Sequence, residues 1–331
     1  MANAKKNNSN RSKNNSSNRN SATRNTPSKK PNSTSSKNSR TVSNNRNPRQ
    51  GWQPPKKSNV PLISSIVGGI LIVIIIVALI IVSSSSSSNQ DTAITPAPKD
   101  IVTAITQVPL SQYNQIGTGG SLVSGLPSKI KSSPLVLNNK PEVLYMGDEW
   151  CPYCGAERWA LILALSRFGT ISNLYTAFSS GTDVYPNTPT FSLAKVNYSS
   201  PYISFVAVEM QTVNHTPLQN PTSQENSLLN KFGNGSIPFI DIGGKWYTSA
   251  NYDPQVLQGL SHQSIAADLS LPNSQTAQAI IGSANYLTAA ICSIDNDQPG
   301  SVCNSSGVLA AKNSLKITTK PSTNKNSSHI G

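Results

Sequence analysis

Four cysteines carry most of the chemistry this sequence can offer: Cys151, Cys154, Cys292 and Cys303. The first two stand in Cys151-Pro152-Tyr153-Cys154, close enough for one thiol to act on the other. The apolar run Glu142–Gly147 before them reads as a buried strand. Gly155–Phe168 after them places Trp159, Ala160, Leu163, Ala164 and Phe168 at helical spacing, closed by Gly169. A strand therefore hands Cys151 to the N-terminus of a helix, where unpaired N–H groups and the dipole favour a thiolate. Pro152 can open that helix because no N–H partner is needed there. The expected chemistry is thiol–disulfide exchange, with Cys151 attacking and Cys154 resolving the mixed disulfide.

Three disulfide pairings are formally possible among the four. The simplest joins Cys151 with Cys154, and Cys292 with Cys303 across a turn-rich loop containing Asp295, Pro299 and Gly300. The second pair is expected to be a structural disulfide, stabilising by roughly 2–3 kcal/mol on loop entropy. Two other readings compete for the first pair. A zinc knuckle would use the same two-residue spacing, but ten residues intervene between Cys292 and Cys303. The histidines His215, His262 and His329 are scattered, so no metal and no cofactor is expected. An inert structural disulfide without turnover stays open beside the catalytic reading.

The elements that must position this dithiol follow from periodicity. Leu174–Ser179, Thr190–Leu193 and Tyr202–Met210 read as strands, and Ser223–Phe232 reads as a helix. Ile237–Tyr247 reads as a hairpin turning at Gly243-Gly244, and Gln263–Leu269 and Gln275–Ser293 read as helices. Strands and helices alternate, which predicts an α/β domain over residues 100–310. Residues 311–331 return to Lys, Ser, Thr and Asn and read as a disordered C-terminal tail.

The net charge of +13 suggests a nucleic-acid binder until it is mapped along the chain. Residues 1–59 hold fourteen Lys or Arg and no acid, leaving 13 basic against 14 acidic residues beyond them. That stretch is too poor in apolar residues to offset its ordering entropy, so it reads as a disordered basic tail, cytoplasmic by the orientation below. Residues 60–82 have no charge, and Leu62–Val82 supplies 21 residues, enough for one transmembrane helix. Lys56 and Lys57 abut its start and the first charge beyond it is Asp91, which places the N-terminus in the cytoplasm and the remainder outside. Residues 83–99 form a Ser/Thr/Pro stalk. The expected location is a single-pass cell-membrane protein with an extracytoplasmic C-terminal domain. Its expected partners are the lipid bilayer, exported proteins with thiols or disulfides, and a membrane or extracytoplasmic redox partner; nucleic acid is not among them.

WCPYC between an apolar strand and an amphipathic helix resembles the thioredoxin superfamily. Ile237-Pro238, followed by an apolar strand and a Gly turn, looks like the cis-proline loop of those proteins. Its distance from Cys154 implies an insertion, assigned to Gly181–Pro221. GDEWCPYCGAERWAL, IPFIDIGGKW and NYLTAAICSIDNDQPGSVC are similar to stretches of the domain of unknown function 929 family, found mainly in archaea. The resemblance implies a thioredoxin-like fold and assigns Cys151, Cys154 and Pro238 to the redox site, and Ile237 is a substrate-binding candidate with Trp150.

Trp150 could cover the sulfurs and guide a substrate peptide, or simply pack. Asp148 and Glu149 could tune the thiols, though ordinary solvated loop charges are the plainer expectation. Glu157 and Arg158 are expected on the surface. Sequons at Asn197, Asn214, Asn234 and Asn304 are candidates for glycosylation on the outer side, and another at Asn326 falls in the tail.

Overall fold

The computed structural model describes residues 94–318. The expected basic tail, the expected transmembrane segment Leu62–Val82, most of the expected stalk and the residues beyond 318 lie outside the described residues. Among the described residues no helix is long and apolar enough to cross a membrane.

In chain order the elements are β1 (Thr95–Pro96), α1 (Lys99–Thr106), α2 (Leu110–Ile116), β2 (Ser128–Lys129), β3 (Val136–Leu137), β4 (Lys140–Gly147) and α3 (Pro152–Leu165). Then come β5 (Thr170–Ser172), β6 (Tyr175–Phe178), β7 (Pro189–Ser192), β8 (Asn197–Ser199), β9 (Ser204–Glu209) and α4 (Ser223–Gly233). The chain continues through β10 (Phe239–Ile242), β11 (Trp246–Thr248), α5 (His262–Asp268), α6 (Gln275–Cys292), α7 (Gly300–Cys303) and α8 (Ser306–Ser314). The fold is mixed α/β.

β4 is the centre of the main sheet. It pairs in parallel with β9 on one side and antiparallel with β10 on the other. β11 and then β2 continue the sheet beyond β10. The parallel pair needs a crossover, and α3 begins it. Both faces of β4 are covered, which is why its sequence is an unbroken apolar run. Val143 and Tyr145 point into the large core built with α3 and α6, while Leu144 and Met146 point into a smaller core closed by Leu228 and Leu229 of α4. Thr222 and Glu225 close a capping box at the start of α4. The β10–β11 turn depends on Gly243 and Gly244, both at positive φ, and a Cβ on Gly244 would collide with the Ser133 carbonyl.

The strands outside the main sheet are not confined to Gly181–Pro221. β6 and β7 form a separate antiparallel sheet with β1, β5 pairs with β8, and both pairings precede β9. β9 itself lies within the expected insertion but belongs to the main sheet, because its Val206 and Val208 fill the smaller core beneath β4. The domain also extends past both expected ends. β1 pairs with β6 inside the nominal stalk, and α8 runs to Ser314. Lys312, expected to fray, is buried, with Nζ 2.7 Å from Asp297 Oδ1 and 2.9 Å from the Cys303 carbonyl.

Candidate active site

β4 stops at Gly147, and the space beside it explains the glycine. A Cβ there would collide with the Tyr145 hydroxyl and stand 3.1 Å from Cys154 Sγ. The chain then turns through Asp148–Trp150, and Cys151 becomes the N-cap of α3 with Pro152 in the first turn. Cys151 Sγ accepts the Cys154 N–H at 3.2 Å, so an orphan donor of the helix end is spent on sulfur. Both cysteines are free thiols and both are buried, Cys151 at 5% exposure and Cys154 at none.

The two thiols are driven apart in acidity. The hydrogen bond from Cys154, together with the backbone N–H groups of Cys154 and Tyr153 and the Arg158 charge, lowers the Cys151 pKa against the opposing effect of burial. Burial raises Cys154 well above the ordinary thiol range, and its neighbour Cys151 pushes it the same way. Of the two sulfurs Cys151 is the more readily ionised, and Cys154 the one that keeps its proton.

Arg158 lies four residues after Cys154 on the same helix and is fully buried. Its Nε donates to Glu209 Oε1 at 2.8 Å and its Nη2 to Glu209 Oε2 at 2.6 Å. Nη2 also donates to the Asp148 carbonyl at 2.8 Å. One side chain thereby ties the dithiol loop, α3 and the end of β9 together. The expectation that Glu157 and Arg158 sit on the surface is corrected here, since both have no exposure. α3 is covered by sheet on one side and by α6 and the β1–β6–β7 unit on others, leaving these charges no route to water. Glu157 accepts the Asn251 N–H at 2.9 Å, and burial pushes its carboxyl up to about 8.

Asp148 and Glu149 are likewise buried rather than solvated. Burial raises both carboxyls. Glu149 accepts from Ser192 Oγ at 2.6 Å, tying the dithiol loop to β7. Trp150 is half-buried, donates from Nε1 to Gln211 Oε1 at 2.9 Å and stacks on His215 at 4.7 Å between ring centroids. Tyr153 is exposed and meets Tyr185 edge-on at 5.7 Å. Two aromatic pairs therefore belong to the dithiol segment.

Pro238 precedes β10, and the register Phe239↔Met146 carries it to the same end of the sheet as Gly147 and the dithiol. The Ile237–Pro238 peptide is cis. Cys292 and Cys303 are joined in a disulfide linking the end of α6 to α7, so neither is available to complete a metal site with the dithiol. Asn197, Asn214, Asn234 and Asn304 are all exposed.

A family model matches residues 127–293, just over half of the chain, and describes a Domain of unknown function (DUF929). The chain belongs to the DUF929 family. No curated protein and no solved structure matches it. The DUF929 match runs from the approach to β2 through the end of α6, and so contains the dithiol, Arg158, Glu209 and Pro238. Cys292 falls inside the match and its disulfide partner Cys303 outside it.

Glu209, Tyr145, Gln211 and His215 were not singled out from the sequence. Glu209 did carry a signal: it is the one charge ending the apolar run Ser204–Val208, as Arg158 is in α3 with Glu157 beside it. Charges embedded in apolar segments require partners.

Proposed function

We propose that this chain is a thioredoxin-like, membrane-anchored thiol–disulfide oxidoreductase or isomerase acting outside the cytoplasm. The observation that carries the reading is the split in acidity between Cys151, an N-cap that accepts an N–H, and Cys154, buried behind it. The topology supports it as well: a strand–dithiol–helix–strand unit with parallel β4 and β9, then the β10–β11 hairpin, with Pro238 at the dithiol end.

In the reductive direction the Cys151 thiolate attacks one sulfur of a substrate disulfide. A bond forms between Cys151 Sγ and that sulfur, and the other substrate sulfur leaves as a thiolate that takes a proton from solvent. Cys154 then loses its proton and attacks Cys151 Sγ. The mixed disulfide breaks, the second substrate thiol leaves, and Cys151–Cys154 is oxidised by the two electrons the substrate gained. A dithiol partner must return those electrons for turnover. The opposite direction runs the same steps in reverse. Isomerisation needs only the first step and its reversal at a different substrate sulfur.

The low exposure of Cys151 favours a second reading, a non-catalytic surface or binding domain in which both pairs act as staples. Insulin-disulfide reduction with a dithiol donor separates the two. The catalytic reading expects turnover that Cys151→Ser abolishes and Cys292→Ser retains. Activity unaffected by Cys151→Ser, or no turnover together with thiols that resist alkylation in the folded protein, favours the staple reading.

A further inference from the structure

A second charged feature lies at the opposite end of the main sheet from the dithiol, separated from it by the length of β10, roughly 13 Å at 3.3 Å per residue. There Lys129, Lys131, Lys245 and Lys316 line one open groove of about 360 Å³, with Trp246 and Ser293 in its wall. Residues 94–318 contain nine lysines and thirteen acidic residues, and four of those lysines but none of those acids line this groove. All four are exposed, and none has an ion-pair partner among the described residues.

The cluster is assembled by the fold rather than by a run of sequence. Lys129 ends β2, Lys131 follows it, Lys245 sits in the β10–β11 turn and Lys316 follows α8. The Ile130 N–H donates to the Lys245 carbonyl at 2.9 Å, holding the first two lysines beside the third. Trp246 is fixed in turn by its Nε1 donating to Ser293 Oγ at 2.8 Å, and its ring faces Lys129 Nζ at 5.5 Å.

The ends of α6 and α8 reach this region at Ser293 and Leu315. Each helix C-terminus carries about half a negative charge, so the two together offset about one of the four positive charges. Roughly three positive charges remain after that offset, with no ion-pair partner among the described residues. A fold that draws like charges together around a cleft focuses a positive potential there.

We infer that this groove binds a phosphate-dense anion, with the four lysine ammonium groups as its ligands. Lysine is suited to phosphate as a point charge, and the mobile stems can close on an anion of irregular shape. The same chemistry is found in a soluble polyphosphorylated molecule and in an anionic phospholipid headgroup. The site does not rest on the redox reading, because it shares no residue with the dithiol.

The test is lysine footprinting of the full chain in a neutral detergent, with an amine-reactive label read out residue by residue by mass spectrometry. The probes are tripolyphosphate and short-chain phosphatidylglycerol, with short-chain phosphatidylcholine as the uncharged control. The basic N-terminal region would attract polyanions without specificity. The internal references are therefore Lys99, Lys195 and Lys231, exposed lysines away from the groove.

The expected result is joint protection of Lys129, Lys131, Lys245 and Lys316 while the references label unchanged. Protection by tripolyphosphate alone assigns a soluble ligand, and protection by phosphatidylglycerol but not phosphatidylcholine assigns a headgroup. Lys129→Gln with Lys245→Gln should weaken protection at Lys131 and Lys316, by about tenfold in probe concentration for each lysine removed. These are surface positions, so the variants should keep the parent far-UV circular dichroism. No protection by either probe, or equal protection of the reference lysines, overturns the site.

Discussion

Replacing Arg158 with methionine removes a guanidinium that has no exposure and makes two charge-assisted hydrogen bonds to Glu209. Glu209 would be left with one backbone donor, the Leu193 N–H at 3.3 Å, and no counter-charge within its buried site. Stranding one member of a buried pair costs about 3–5 kcal/mol, a large part of the roughly 5–15 kcal/mol that holds a domain together. At a urea slope of about 2–3 kcal/mol/M, the midpoint should fall by roughly 1–2.5 M. Glu209→Leu should cost a similar amount, because it strands the arginine instead. The decisive quantity is the double variant, Arg158→Met with Glu209→Leu, which leaves neither charge of the pair stranded and keeps much of the apolar volume. Its loss should be well below the sum of the single losses, with a coupling of about 2 kcal/mol or more. Additive single losses would refute the claim that each of these charges depends on the other for its burial. The two variants that lack Arg158 should react more slowly at Cys151, since the Arg158 charge favours its thiolate and its Nη2 holds the Asp148 carbonyl.

Glu157 gives a pH signature. Burial raises its carboxyl to about 8 in the folded chain against an unfolded value near 4.5, so the folded state holds the extra proton. Stability from this group is full below the unfolded value and declines as pH rises towards the folded one. The slope approaches about 1.4 kcal/mol per pH unit between roughly pH 5 and 8. Asp241 and Asp295 are raised by burial to about 6 and about 7 and act in the same direction over narrower windows. Glu157→Gln should flatten the upper part of the urea-midpoint profile, and an unchanged slope would show that the side chain reaches water. Gly147→Ala should cost about 1–3 kcal/mol through overpacking against Tyr145 and Cys154, seen as a drop of several degrees in the thermal midpoint. An unchanged midpoint would mean that β4 can shift without disturbing the dithiol. Opening the Cys292–Cys303 disulfide with Cys303→Ser should cost roughly 2–3 kcal/mol while leaving Cys151 alkylation at its parental rate. Loss of both would tie the second pair to the redox site.

The local signals around the dithiol were legible because they are carried by adjacent residues. The apolar run of β4, Pro152 at the start of α3 and the Gly243-Gly244 turn each declare their element without reference to the rest of the chain. Burial of charge was not legible, since Glu157 and Arg158 look like ordinary helix-surface residues until α6 and the β1–β6–β7 unit cover the helix. Which strands join the main sheet was not legible for a related reason. β9 carries the same mixture of β-branched and aromatic residues as its neighbours, and only pairing with β4 distinguishes a main-sheet strand from an accessory one. Lys312 was read as the start of a polar tail, whereas contacts with Asp297, fifteen residues earlier, and the Cys303 carbonyl hold it inside the domain. The lysine groove escaped for the same reason, because its members are drawn from positions 129 to 316.

Exchange at the dithiol is tested most directly with Cys154→Ser in the full chain, which removes the resolving thiol and leaves Cys151 as the attacking group. Incubated with a disulfide-bearing peptide, this variant should accumulate a mixed disulfide at Cys151, identified by mass spectrometry and released by dithiothreitol. The parent chain should pass through the same species without accumulating it. A Cys154→Ser variant that keeps the parental fold yet forms no adduct at Cys151 would contradict the account.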